Sequence, residues 1–190
     1  CINFALKIRE MLGLKLPTDP RWVNIVEKNI EEILTDHAYC EQKAASNAIS
    51  VIVKFAQFPD LVQAMTEIAR EEMEHFGMVH SKMLERGLKL GFERKDPYVN
   101  DLAAYLKKRN SGGSFENQFV NRMMFAAMIE ARSCERFKRL SEGLDDEYMR
   151  RFYEEVFFPY CIENDIKHIV HLGDYFDKRT GINFLSLQRN

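Results

Sequence analysis

Between Pro20 and Pro59 the chain contains neither proline nor glycine, and this unbroken stretch constrains the fold more than any other feature. With Asp19 as a helix N-cap and Pro20 at the first helical position, it predicts one long helix from Trp22 to about Ala56. Within it Ile25, Ile30, Ile33, Leu34, His37, Cys40 and Glu41 recur at helical spacing. Pro59 and Asp60 end this element and start a second. That helix runs through Leu61, Met65, Ile68, Glu72, His75 and Val79 to Gly87, a residue suited to a helix C-terminus. Both stripes mix apolar side chains with acids and imidazoles. Glu72 and His75, three residues apart, lie almost above one another on one helix face. A carboxylate and an imidazole so placed can bind one metal ion. A single such pair is also what an ordinary surface ion pair looks like, so its weight depends on its surroundings.

The rest of the chain continues the helical pattern. A basic and apolar lead (Leu6 to Leu16) occupies the first 18 or so residues. After Gly87, Asp96-Pro97 opens a shorter helix over Val99 to Lys108, closed by Asn110-Ser111-Gly112-Gly113-Ser114. A long helix covers about Phe115 to Glu142 and stops at Gly143. Asp145-Asp146 caps a last helix reaching roughly Lys178, with a kink or break at Pro159, and residues from about 180 to 190 form an irregular tail. No strand-like alternation competes, so the expected class is all-α. A chain of 190 residues, 46% hydrophobic and 29% charged, suits one domain over residues 1–190 with a full core.

Charge and cysteine usage exclude several functions. Lys and Arg number 27 against 29 Asp and Glu, so no global field attracts polyanions and only a local patch could do so. Cys1, Cys40, Cys134 and Cys161 are scattered without a C-x-x-C pair, which favours a reducing cytoplasm over a disulfide framework. No apolar run is long enough to span a membrane, and no signal-peptide pattern is present. The sequence opens on Cys1 rather than Met, as expected if a few residues precede it.

An internal echo gives the acid-x-x-His pair its context. Tyr39-Cys40-Glu41-Gln42 in the first long helix is matched by Ser133-Cys134-Glu135-Arg136 in a later one. Each is followed by a helix with an acid-x-x-His pair, Glu72 with His75 and Asp165 with His168. The step from Glu41 to Glu72 is 31 residues and that from Glu135 to Asp165 is 30. Two helical hairpins related by a pseudo-twofold axis would give this spacing and would bring their interior carboxylates to one point. Carboxylates in a helical core are unfavourable unless paired or metal-bound. Helical bundles that hold two metal ions place their ligands in this way, a Glu from each of two helices and an acid-x-x-His from each of the others.

Three segments carry a resemblance to a known family. Asp36-His37-Ala38-Tyr39-Cys40-Glu41-Gln42-Lys43-Ala44-Ala45-Ser46, Glu71-Glu72-Met73-Glu74-His75-Phe76 and Ile129-Glu130-Ala131-Arg132-Ser133-Cys134-Glu135-Arg136-Phe137 resemble the tRNA hydroxylase family MiaE. The likeness covers Leu14 to about Tyr153, and Glu-Ala-Arg-Ser-Cys-Glu-Arg-Phe is its most specific run. It implies a ferritin-like four-helix bundle with an additional short helix and irregular termini. It further implies two non-haem iron ions, an O2-dependent monooxygenase, and a tRNA substrate whose isopentenyl-modified adenosine lies in the anticodon loop. Two electrons would come from an external donor that the residues do not identify. By motif position Glu41, Glu72, His75 and Glu135 would be iron ligands and Glu41, Glu72 and Glu135 the catalytic acids.

The last helix departs from the family. Its Glu-x-x-His would stand eight residues beyond Phe152-Tyr153, yet counting from Phe152 gives Tyr160 and Glu163. Asp165 and His168 keep the acid-x-x-His geometry and are the expected metal ligands; His168 with His171, or a contribution from Glu163, remain alternatives. His37 reads as a residue that supports Glu41 or as a buried hydrogen-bonded histidine. Glu130 would back Glu135 or pair with an Arg, Cys40 and Cys134 would be small core residues, and Met123, Met124, Phe125 and Met128 would be core first and substrate-pocket lining second. Lys107-Lys108-Arg109, Arg136, Lys138, Arg139, Arg150 and Arg151 could track an RNA backbone, or form ordinary solvated helix faces. Two other functions share the pattern: a different ferritin-like oxidase or iron-handling protein, and a helical binding module without metal.

Overall fold

The computed structural model describes residues 18–94, 97–109 and 114–154. They form α1 (Trp22–Lys28), α2 (Ile30–Lys54), α3 (Pro59–Glu85), α4 (Pro97–Arg109), α5 (Phe115–Gly143) and α6 (Glu147–Phe152). Among the described residues there is no strand, as the all-α reading requires. None of these helices is long and apolar enough to cross a membrane.

The stretch between Pro20 and Pro59 is not one helix. It divides at Asn29, whose φ of −137° and ψ of 37° leave the helical region. The Asn29 side-chain amide donates to the Ile25 carbonyl at 2.8 Å, a local bond that competes with the helix ladder. The division shifts the inward face. Val23 and Val26 are buried, whereas Ile25, expected inside, is 56% exposed. α1 starts at Trp22 rather than Pro20; the Asp19 carboxylate accepts from the Arg21 N–H at 2.9 Å in the turn before it.

The chain forms two compact units, one of them Ile25–Pro97. In it α2 and α3 pack along each other, joined by a short link from the buried Phe55 to Phe58. Leu34, Ala38, Ala45, Ala48 and Val51 on α2 and Val79 and Met83 on α3 make the core. The three alanines let the helix axes approach. At the end of α3 Gly87 adopts φ 69°. Leu88 N–H donates to the Met83 carbonyl and Gly87 N–H to the Leu84 carbonyl, both at 2.9 Å, the two bonds that close a helix through a left-handed residue. The chain then runs back beside α2. Gly91 N–H donates to Thr35 Oγ1 at 3.2 Å and Tyr39 donates to the Gly91 carbonyl at 3.1 Å. Arg94 grips Glu32 and Asp36 at 2.7 and 2.6 Å.

The other unit comprises residues up to Asn24 and from Tyr98 onward. Ser114 caps α5 by accepting from Asn117 N–H, and Asp146 caps α6 by accepting from Met149 N–H at 3.2 Å. Gly143 ends α5 close to Val23: a Cβ there would lie 3.3 Å from Val23 Cγ2, a tight contact that Val23 would have to relieve by a small shift. Tyr153 is fully buried against Phe137 and Phe152, with ring centroids 5.6 and 5.3 Å apart. The methionines expected in the core divide: Met123 is buried, but Met124 and Met128 are exposed. The lead from Leu6 to Leu16, the break at Pro159, the reach of the last helix to Lys178 and the tail lie outside the described residues.

Candidate metal centre

Glu41 sits mid-way along α2, and Glu72 and His75 mid-way along α3. The helical packing turns all three towards one point. His75 Nδ1 lies 3.8 Å from Glu41 Oε2 and 3.6 Å from Glu72 Oε2. One ligand atom from each residue lies within 4.8 Å of the others, and they are the one such cluster of acidic, histidine or cysteine side chains among the described residues. Glu41 and His75 are buried, and Glu72 nearly so.

Burial and mutual contact shift the titration of all three groups. Burial alone would raise the Glu41 carboxyl, but contacts from His37 and His75 outweigh it and hold Glu41 well below the usual carboxylate range. Glu72 carries the opposite burden. Burial, and the Glu41 charge beside it, push its carboxyl up to about 8. Burial would lower the His75 imidazolium, yet the two acids raise it to about 10. Two hard oxygen donors and an imidazole nitrogen in a protected pocket form a donor set suited to a divalent first-row metal ion.

His37 adds a fourth polar group. Its Nε2 lies 2.8 Å from Glu41 Oε1, one helical turn away. The other acids divide. Glu135 on α5 accepts from Thr18 N–H at 2.8 Å, Thr18 Oγ1 at 2.6 Å and Arg132 Nη1 at 2.7 Å. Burial would raise its carboxyl, but these bonds lower it. Asp165, His168, His171 and Glu163 lie outside the described residues.

Three side-chain expectations are corrected or refined. Cys40 is exposed, not core, because it stands about 100° round α2 from Glu41. Cys134 is buried as expected and donates to Glu130 Oε1 at 3.6 Å, while Thr18 and Arg132 hold Glu135. Sequence reasoning did not assign Arg132 or Thr18 to Glu135. Arg132 is detectable from its i,i+3 spacing, but Thr18, 117 residues away, leaves no local signal. Several basic residues read as RNA-facing are engaged within the fold. Arg136 covers the Trp22 ring at 5.4 Å, Lys138 faces Glu142 at 3.8 Å and Arg151 pairs with Glu147 at 2.9 Å.

The described residues are helical, neighbouring helices bring two carboxylates and an imidazole together, and the chain has the ferritin-like fold. A solved structure shares that fold: a protein with aldehyde deformylating oxygenase activity from Synechococcus, 30% identical, with a TM-score of 0.74 over 88% of this chain and 79% of that one. Within this class the chain belongs to the tRNA-(MS2IO6A)-hydroxylase (MiaE) family, whose pattern matches residues 6–168. It is similar to the tRNA 2-(methylsulfanyl)-N(6)-isopentenyladenosine(37) hydroxylase of Pseudomonas putida, 36% identical over 140 residues. The same-named protein of Salmonella typhimurium is 25% identical over 192 residues. The alignments take in 74% of this chain, and 65% and 68% of those relatives' lengths respectively.

Proposed function

We propose that this chain is a di-iron, O2-dependent monooxygenase that hydroxylates the isopentenyl group of 2-methylthio-N6-isopentenyladenosine in tRNA, acting in the cytoplasm. The observation that carries this reading is the convergence of Glu41, Glu72 and His75 within 4.8 Å, in a chain of the MiaE family. Glu41, Glu72 and His75 would hold iron, together with Glu135, Asp165 and His168. His168 with His171, or Glu163, are the alternative donors in that part of the sequence.

Bound iron supplies the activation of O2 for oxygen insertion into a C–H bond, chemistry that side chains alone do not provide. In the overall reaction one oxygen atom enters the C–H bond to give the alcohol and the other leaves as water. Two electrons and two protons come from an external reductant. The chain's own residues supply charge and order. Glu41 and Glu72 offset the cationic charge with oxygen donors, and His75 adds a nitrogen without adding negative charge. Helix burial keeps bulk water from Glu41 and His75.

The test is direct. Protein loaded with ferrous iron is given a reductant, O2 and tRNA bearing the modified adenosine, and the digested nucleosides are weighed by mass spectrometry. The reading predicts a gain of one oxygen on the isopentenyl nucleoside, lost in Glu41→Ala. Unchanged nucleoside with fully loaded protein refutes it. A second reading, oxidation of an aldehyde, is favoured by the 30% identity to the Synechococcus protein. It predicts oxygen uptake that depends on aldehyde and not on tRNA.

A further inference from the structure

We infer that His37 is a positioning residue that holds one oxygen of Glu41 so that the other is presented to the metal. This rests on the proposal that Glu41, Glu72 and His75 bind iron.

The geometry separates the two oxygens of one carboxylate. Glu41 Oε1 faces His37 Nε2 at 2.8 Å, whereas Glu41 Oε2 faces His75 Nδ1 at 3.8 Å. The helix makes this division natural. Side chains on an α-helix lean towards its N-terminus, so Glu41 reaches back over the turn that carries His37. Both side chains are buried, at 5% and 10% exposure, so water is a poor substitute for the imidazole as a donor. Without His37 the carboxylate is free to rotate about its terminal torsion, which has only a broad, weak preference. It could then lose the orientation that directs Oε2 towards α3. The His37 ring, with Nε2 2.8 Å from Oε1, restricts that torsion and leaves Oε2 as the oxygen directed towards His75. Groups that orient a metal ligand in this manner typically change metal affinity by about 10–100-fold when removed.

Cobalt(II) serves as the probe, because its visible absorption reports both affinity and coordination geometry. The chelator-treated full chain and three variants are titrated with cobalt(II), and thermal melts of the same samples are recorded without metal. His37→Leu removes the donor at similar volume. His37→Gln keeps an N–H donor at similar reach, and His37→Asn is too short to reach. The inference predicts that His37→Leu and His37→Asn weaken cobalt binding about 10–100-fold with altered visible bands. His37→Gln should stay within a few-fold of the parent with its bands retained. Should His37→Leu fail to fold, the contrast between Gln and Asn decides alone. Equal affinity and identical spectra in all folded variants overturn the inference while leaving the metal centre intact. A parent chain that takes up no cobalt at Glu41, Glu72 and His75 overturns the metal reading itself, and this inference with it.

Discussion

Replacing Glu72 by Gln should stabilise the metal-stripped protein while removing its ability to hold metal. In the folded chain the Glu72 carboxyl titrates at about 8, against 4.5 when unperturbed. An acid whose folded pKa is raised opposes folding above its unfolded pKa. The opposition is absent below about pH 4.5, grows as pH rises, and levels off above the folded value. At pH 7 the gap is about 2.5 units, or about 3 kcal/mol at about 1.4 kcal/mol per unit. Gln has nearly the same shape and carries no proton to lose, so it removes this term. Against the gain stands the weaker contact with the His75 ring, 3.6 Å from the Glu72 oxygen, so the net effect is about 1–2 kcal/mol. For a chain of this size that corresponds to a rise in Tm of about 3–6 °C. Circular-dichroism melts in chelator at pH 7 and pH 4 test this, with cobalt titration of the same samples. A Glu72→Gln protein less stable than the parent at pH 7, or equally stabilised at pH 4, refutes the reasoning.

Other outcomes follow from the same structure. Metal binding must displace protons from Glu72 and His75, whose pKa values are raised to about 8 and about 10; affinity should therefore rise with pH between 6 and 8, with proton release measurable by titration in buffers of different ionisation enthalpy. Thr18→Ala keeps the backbone bond to Glu135 but removes the 2.6 Å hydroxyl bond. It should lower stability by about 1 kcal/mol, read by urea denaturation. Gly87→Ala forces a side chain into φ 69° and should cost about 1 kcal/mol without changing cobalt affinity.

The helices and two of the three side chains of the metal cluster are legible in the sequence for a shared reason. Helical spacing is a local property, and Glu72 and His75 meet through it alone. Glu41 joins them across two helices because it lies on the same buried stripe as Leu34, Ala38 and Ala45. Where local spacing ceases to decide, the reading fails. Asn29 is compatible with a helix interior, and only its side-chain bond to Ile25 marks the division that turns Ile25 outward. The return of residues 88–94 along α2 depends on Thr35, Tyr39 and Arg94 partners more than 50 positions apart. The Thr18 grip on Glu135 is longer-range still. Cys40 misled because its place beside Glu41 in sequence is a different place on the helix.

The central claim is that buried acids of separate helices face one another here in order to share metal. Anomalous X-ray scattering at the iron absorption edge, from crystals of the iron-loaded protein, tests it most directly. The account predicts an iron peak in direct coordination with Glu41, Glu72 and His75. Iron located away from these three side chains, or no iron peak in fully loaded crystals, would contradict it.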